Sequence, residues 1–250
     1  MTYAIPDTRF ELSTPKKKPI NGVVDWAHPL LKNCVALFEC NTSDCKETIS
    51  GEKPTFVGSS IVKPARFGMG LVLDGVDDCV YWTTSQITLP HAYPFTVMTV
   101  IDRDVSADSE EVIISASRES TGVKQGWSLQ TDIWNNQNVI GYSLAAVADE
   151  PSTITSPVSG NLAVLSSVFK SNSDVDMYLD NTKDTVVSAN NPNTATIERY
   201  SLGGKWGSGA ATPAGDFKGA IYCVLVCEGE VPTSHVSSFQ TDPFQFYLPA

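Results

Sequence analysis

Residues 66–82 constrain the fold of this chain more than any other segment. The apolar run Leu71–Leu73 leads directly into Asp74-Gly75, a dipeptide that favours tight turns because glycine adopts positive φ at no steric cost. After two more acids, Cys79–Trp82 brings a β-branched residue and two aromatic residues, which suit a pleated surface. The segment therefore predicts a strand, a turn and a second strand.

From Asn33 onward, short apolar segments alternate with residues typical of turns. The other segments with strand character are Cys34–Cys40, Phe95–Ile101, Val112–Ser115, Trp127–Gln130, Val139–Val147, Leu162–Phe169, Val175–Leu179, Ile197–Leu202 and Ala220–Cys227. One short helix is expected over His235–Gln240, with Thr233 or Ser234 as its N-cap. About a dozen short strands with frequent turns predict an all-β jelly-roll sandwich of antiparallel strands.

Four parts of the chain, in order, resemble motifs of the concanavalin A-like, laminin-G-like jelly rolls found in tailed-phage and bacterial proteins. They are Trp26–Leu30 with Val35–Phe38, Phe67–Val80, Val175–Asn181, and Phe217–Ile221 with Asp242–Phe246. The chain departs from the family pattern at Cys79, where an aromatic residue is usual, and at Asn181, where glycine is usual. Its closing strand, Ile221–Cys227, is unusually apolar, which predicts burial on both faces. The resemblance implies a jelly roll from about residue 24 onward and a virion protein.

Charge and hydropathy exclude several classes of partner. The sequence holds 28 acidic and 17 basic residues, a net charge of −11, so nucleic-acid binding through phosphate contacts is not expected. No apolar run approaches the roughly 20 residues of a membrane span. The N-terminus has no apolar core of a signal peptide, so we expect a protein made in a host cytoplasm.

The first 20 residues differ from the rest of the chain. They contain three prolines and the basic run Lys16, Lys17, Lys18, without a periodic apolar pattern. Two interpretations stay open: a disordered tail, or an extended arm whose lysines dock on an acidic surface of a neighbouring protein. The predicted organisation is an arm over residues 1–20 and one sandwich domain over residues 21–250.

Six cysteines are present without a regular framework. Five lie in apolar segments and Cys45 lies in a polar stretch, so buried free thiols are expected. Cys40 and Cys45 are close enough in sequence for a small-loop disulfide, but nothing else in the sequence supports one. No paired Cys or His spacing indicates zinc.

Carbohydrate binding has two candidate loops. Sugars stack on exposed aromatic faces and are oriented by a few amides and carboxylates. The first loop offers Asp132, Trp134, Asn135 and Asn136, and the second offers Trp206 among glycines. The alternative is that both tryptophans plug the edge of the core.

Acidic residues give two weaker candidates. On a strand, Asp174 and Asp176 share one face about 7 Å apart, which could suit glycoside hydrolysis, although a solvated polar face explains them better. Glu110-Glu111 is interpreted as a solvated loop. The acids Asp74, Asp77 and Asp78 could hold Ca²⁺, but turn formation accounts for them without a metal, so no cofactor is expected.

These observations favour a non-enzymatic virion-surface protein, a capsid decoration or cement protein that binds neighbouring capsid subunits. Its expected partners are capsid or other virion proteins, and a homo-oligomer such as a trimer on a symmetry axis is expected. The first alternative is a lectin-like adhesion module that binds surface glycans, and the second is a glycoside hydrolase. The same sandwich serves all three, because a fold does not fix a function.

Overall fold

The computed structural model describes residues 22–40, 45–104, 111–117, 126–131, 139–144, 148–155, 157, 161–171, 174–187, 197–205 and 216–248. Within these residues one α-helix, α1 (Thr233–Thr241), and one 3-10 helix, Pro29–Leu31, accompany the strands. The strands are β1 (Val23–Val24), β2 (Cys34–Glu39), β3 (Lys46–Glu47), β4 (Thr55–Val57), β5 (Ile61–Ala65), β6 (Gly68–Asp74), β7 (Cys79–Thr83), β8 (Phe95–Arg103), β9 (Glu111–Ser117), β10 (Gly126–Thr131), β11 (Val139–Leu144), β12 (Ala148–Thr155), β13 (Leu162–Phe169), β14 (Asp174–Leu179), β15 (Thr182–Val187), β16 (Arg199–Leu202), β17 (Lys218–Glu228) and β18 (Tyr247–Leu248).

Two antiparallel sheets make up the domain. The seven-stranded sheet has the order β12-β11-β10-β9-β16-β7-β4. The nine-stranded sheet has β15-β14-β13-β8-β17-β2-β3 as its main path, with β6 paired to β17 and β5 paired to β6. A small pair, β1 with β18, joins the two chain ends of the domain. This architecture confirms the predicted all-β jelly-roll sandwich.

The main core lies between the two sheets, and aromatic side chains join them at one end. Phe95 and Phe169, from the nine-stranded sheet, stack with their ring centroids 4.1 Å apart. Trp127 of the seven-stranded sheet lies 5.2 Å from Phe95, and Tyr142 lies 5.5 Å from Phe169. Such tilted and stacked pairs add to the burial of large apolar surface.

A second core covers the other face of the nine-stranded sheet. Along β17, Val224 and Val226 belong to the core between the sheets, whereas Leu225 and Cys227 belong to a cluster with Phe239 of α1. The strand is therefore buried on both faces, as its apolar sequence predicts. The covering layer also contains Phe244 and Phe246 from the segment after α1.

The helix α1 is longer than predicted and begins differently. It starts at Thr233, which is its first residue rather than its cap. Pro232 occupies the N-cap position, and no side chain caps the helix there. Proline suits this boundary because its fixed φ is compatible with a helix start. No helix in the described part of the chain is long and apolar enough to cross a membrane.

Candidate functional site

A cleft of about 480 Å³ opens at the end of the sandwich where β8 begins. Its lining comes from three separated stretches of chain: Asn33, Pro90, Ala92, Tyr93, Pro94, Glu228 and Gly229. Clefts of this size are typical of sites for small molecules and sugars. No single motif of the sequence contains all three stretches, so folding alone brings them together.

Backbone hydrogen bonds hold the walls of the cleft in place. The Gly229 N–H donates to the carbonyl of Pro94 at 3.1 Å, and the Glu228 N–H donates to the carbonyl of Asn33 at 2.9 Å. The indole N–H of Trp127 donates to the carbonyl of Pro90 at 2.9 Å, which ties this wall to the seven-stranded sheet. The cleft is therefore fixed to both sheets before any ligand arrives.

The half-buried Tyr93 is the aromatic element of the cleft. Its ring lies 6.2 Å from Phe95 in a stacked arrangement and 6.0 Å from Phe169. Because those two rings are fully buried in the core, Tyr93 has a rigid support on one side. A supported aromatic ring offers contact area at a small cost in side-chain entropy.

Polar groups complete the cleft. Asn33 and Glu228 are both exposed, so an amide and a carboxylate reach solvent beside Tyr93. Among the described residues that line the cleft there is no lysine or arginine. An aromatic face with an amide and a carboxylate can stack against a sugar ring and accept or donate hydrogen bonds to its hydroxyls.

The glycan-binding residues predicted from the sequence, Asp132, Trp134, Asn135, Asn136 and Trp206, lie outside the described residues. The strands that lead into their loops are described. Because β10 and β16 both run antiparallel to β9, on either side of it, their C-terminal ends lie at the same end of the seven-stranded sheet. This end is opposite to the cleft. The predicted docking lysines, Lys16, Lys17 and Lys18, also lie outside the described residues.

A buried ion pair occupies the end where β9 begins. Arg103 Nε donates to the Glu111 carboxylate, and the two side chains are 2% and 0% exposed. Thr131 donates its hydroxyl to the same carboxylate oxygen at 2.9 Å. The interpretation of Glu111 as part of a solvated loop is therefore wrong: it is the first residue of β9 and bridges the two sheets through Arg103. Sequence reasoning missed it because the partner lies on another strand.

Of the two acids considered for glycoside hydrolysis, Asp174 and Asp176, the second has a structural role. As predicted, Val175, Met177 and Leu179 face the core between the sheets. Asp176 lies on the other face, where it is held by several donors: Lys170 at 2.8 Å, Lys183 at 2.9 Å and the Thr185 hydroxyl at 2.7 Å.

Burial alone would raise the pKa of Asp176, but the hydrogen bonds from Lys170, Thr185 and Lys183 outweigh it and lower the pKa. A general acid needs a raised pKa. Asp176 is therefore unsuited to protonate a leaving group.

The acids of the turn after β6 hydrogen-bond to the backbone. The Asp78 carboxylate accepts the N–H groups of Asp74, at 2.8 Å, and of Ser59. Burial raises the pKa of Asp78, and the backbone hydrogen bonds partly oppose this. One oxygen from each of Asp74, Asp77 and Asp78 lies within 4.8 Å of the others. These contacts fit turn formation, and the expectation that no cofactor binds here stays a prediction.

A second polar surface lies on the outer face of the seven-stranded sheet. Its serines bond to one another and to the backbone: Ser115 contacts the Ser201 hydroxyl at 3.0 Å and donates to the carbonyl of Gly204 at 3.0 Å. Both serines are 1% exposed. These two hydroxyls are therefore closed to a ligand, whereas the cleft at Tyr93 presents exposed polar groups and is the better candidate site.

The comparisons with known proteins show a similarity of fold and no similarity of sequence family. No protein-family model and no curated protein matches the sequence. Among solved structures, domain 4 of AbnA, a GH43 extracellular arabinanase from Geobacillus stearothermophilus, in complex with arabinotriose, is 15% identical with a TM-score of 0.65. That match covers 83% of this chain and 98% of the arabinanase domain.

Sialidase from Trypanosoma rangeli, in complex with the inhibitor DANA, is 17% identical with a TM-score of 0.59. The match covers 85% of this chain and 33% of the sialidase, so the chain spans about a third of that enzyme's length. A mutant of the same sialidase displaying trans-sialidase activity is 16% identical, with a TM-score of 0.63.

These matches correct one prediction from the sequence. The chain was expected to be non-enzymatic, but the structures that share its fold are parts of an arabinanase and of sialidases, so that prediction is wrong as stated. Nothing in these matches shows the predicted virion context. What they establish for this chain is a jelly-roll sandwich of a kind that also occurs in proteins that process glycosides.

Proposed function

We propose that this chain is a carbohydrate-binding domain whose binding site is the cleft of Asn33, Tyr93 and Glu228. The observation that carries the proposal is the combination of a rigidly supported aromatic ring with an exposed amide and an exposed carboxylate in one cleft. A sugar would stack its apolar face on Tyr93, and its hydroxyls would donate to the Glu228 carboxylate and pair with the Asn33 amide.

The charge of the cleft favours neutral sugars. Glu228 is the charged side chain among the described lining residues, and the whole chain carries a net charge of −11. A carboxylate on the ligand would approach a carboxylate of the protein in a cleft whose described lining holds no lysine or arginine, and like charges at close range repel. We therefore propose neutral oligosaccharides as the ligand class.

The shared fold supports this proposal without fixing it. Domain 4 of the arabinanase AbnA has the same sandwich and is in complex with arabinotriose, a neutral sugar. At 15% identity this similarity supports the fold alone. The choice of binding residues is therefore based on the cleft of this chain.

A binding experiment with matched variants tests the proposal. The wild-type chain is screened on an array of neutral and sialylated oligosaccharides that includes arabinotriose, and the best ligand is titrated by calorimetry. We expect Tyr93→Ala and Glu228→Gln each to weaken binding at least tenfold, about 1.4 kcal/mol. Phe56→Ala is the control, because Phe56 is an exposed aromatic residue on β4 of the other sheet.

Tyr93 packs on the core, so Tyr93→Ala could weaken binding by destabilising the domain. The thermal unfolding of this variant is therefore measured alongside its affinity. Glu228 is exposed, so Glu228→Gln and Asn33→Ala keep the test independent of folding. The absence of any array signal, or wild-type affinity in both Glu228→Gln and Asn33→Ala, would refute this site.

A second hypothesis places the chain on a phage particle, where it would bind neighbouring capsid subunits. The resemblance of residues 66–82 and three further segments to phage jelly rolls favours it. The arm over residues 1–20, its lysines and a trimeric assembly belong to this hypothesis. Density for the chain in a particle reconstruction would support it, and undiminished particle binding after deletion of residues 1–20 would remove the arm from it.

A further inference from the structure

Two cysteine side chains meet where β2 ends and β3 begins. Cys40 follows the last residue of β2, and Cys45 precedes the first residue of β3. Their Sγ atoms lie 2.8 Å apart, and both side chains are fully buried. Cys45 is therefore a core residue, although its sequence surroundings are polar.

The strand register explains why the two thiols meet. Phe38 pairs with Glu47 and Glu39 pairs with Lys46, so the next positions along the two strands are Cys40 and Cys45. Directly opposed residues of an antiparallel pair have Cα atoms roughly 4.5–5.5 Å apart, which falls within the span that a disulfide bridges. The observed sulfur separation exceeds the disulfide bond length of about 2.05 Å by less than ~1 Å.

The other cysteines differ from this pair. Cys34 and Cys227 also oppose each other, on β2 and β17, and a side-chain hydrogen bond joins them, while their thiols donate to the backbone carbonyls of Ala36 at 3.1 Å and of Leu30 at 3.9 Å. Burial, with a smaller contribution from Asp216, raises the pKa of Cys79 to about 12, so its thiolate is scarce at neutral pH. Cys40 and Cys45 differ from that opposed pair because their sulfurs lie 2.8 Å apart beside the edge strand β3, whereas Cys227 lies on the central strand β17.

We propose that Cys40 and Cys45 are a disulfide-forming site that closes when the chain meets a disulfide oxidant such as glutathione disulfide. One cysteine thiolate attacks a glutathione sulfur, which forms a mixed disulfide and expels one glutathione thiolate. The second cysteine thiolate then attacks the protein sulfur of the mixed disulfide and expels the second glutathione thiolate. The two protons of the cysteines end on the two glutathiones: two protein thiols are oxidised, and one glutathione disulfide is reduced.

Because both sulfurs are buried, the thiol–disulfide exchange takes place during folding. In the folded domain both sulfurs are inaccessible, so glutathione reaches them while β3 is not yet docked on β2. β3 has only two residues and lies at the edge of the nine-stranded sheet. The Glu47 N–H of β3 donates to the carbonyl of Glu52 at 3.0 Å, and its carbonyl accepts the N–H of Gly51 at 2.9 Å. A covalent link to β2 would secure this short edge strand together with the turn that follows it.

The test is to refold the full chain in a buffer of reduced and oxidised glutathione, trap free thiols by alkylation and map the peptides by mass spectrometry. We expect a Cys40–Cys45 cross-link and a fall in free thiols from six to four per chain. In Cys45→Ala we expect Cys40 to carry glutathione instead. Cys79→Ala is the matched control, because it removes another fully buried thiol and should keep the cross-link.

If Cys45→Ala does not fold, the wild-type peptide map decides alone. Folded wild-type chain with both cysteines alkylated would overturn the proposal. So would a stable glutathione adduct on wild-type Cys40, since it would mean that Cys45 does not reach the mixed disulfide, and so would a cross-link from Cys40 to a different cysteine.

Discussion

Gly75 shows how one residue fixes the turn between β6 and β7. Its φ of 77° lies in the left-handed region, and a Cβ placed there would lie 2.7 Å from the Cβ of Lys218 on β17. The Lys218 Cβ is set by the backbone of a central strand and cannot swing away. Glycine is therefore needed at this position for its conformation and for its lack of a side chain.

We predict that Gly75→Ala destabilises the domain clearly more than Gly51→Ala. Gly51 has the same φ of 77°, but nothing lies within 4 Å of its Cβ position. Gly51→Ala therefore reports the backbone cost alone, about 1 kcal/mol, and Gly75→Ala should at least double it. Urea unfolding of the two variants measures the difference, and equal losses would show that Lys218 does not restrict the turn.

The residue scale also shows what the sequence could predict. Asp74-Gly75 indicates a turn by local chemistry alone, and the structure has that turn. The role of Asp78 could not be predicted, because it accepts the N–H of Ser59, which is distant in sequence. Cys45 was placed in a polar loop by its neighbours, yet the register of β2 with β3 buries it.

At the scale of elements, the hairpin of β14 and β15 depends on Asp176. The Lys183 ammonium and the Thr185 hydroxyl come from β15, and Lys170 comes from the end of β13, so one carboxylate links three strands. Asp176 is almost fully buried, whereas Lys183 is 42% exposed. If either lysine were lost, the buried carboxylate would have fewer partners. The free-energy cost of removing it from water would then be less well compensated.

We predict that Asp176→Asn lowers the free energy of unfolding by about 2 kcal/mol at pH 7. The folded-state pKa of Asp176 is lowered, so its stabilisation is fully present above the unfolded value of about 3.9 and is lost as the pH falls through the folded value. The difference between wild type and variant should therefore vanish in acid.

Urea unfolding over a pH series measures this effect. Glu228→Gln serves as the control, because it changes an exposed carboxylate and should alter stability by less than about 0.5 kcal/mol. A constant difference between wild type and Asp176→Asn from neutral to acidic pH would show that the ion cluster does not titrate as proposed.

At the scale of the whole molecule, local sequence patterns predict the individual strands, whereas the order in which the strands pair brings the residues of the cleft together. The apolar run of β17 predicts a strand buried on both faces, because this property depends only on the residues of the strand itself. The cleft could not be predicted, since Asn33, Tyr93 and Glu228 become neighbours through the pairing of β17 with β8 and β2. The strands that precede the predicted glycan loops, β10 and β16, instead end at the opposite end of the sheet.

The charge of the whole chain leads to the last prediction. We expect a sialylated oligosaccharide to bind at least tenfold more weakly than its neutral counterpart, because its carboxylate meets Glu228 in a molecule of net charge −11. Calorimetry with the best neutral ligand of the array and with its sialylated form compares the two directly. Added salt should narrow the difference by screening exposed charges, and Glu228→Gln should narrow it by removing the nearest one. Equal affinity for both sugars would leave the cleft as a sugar site and refute its selectivity, whereas binding of neither would argue against the site itself.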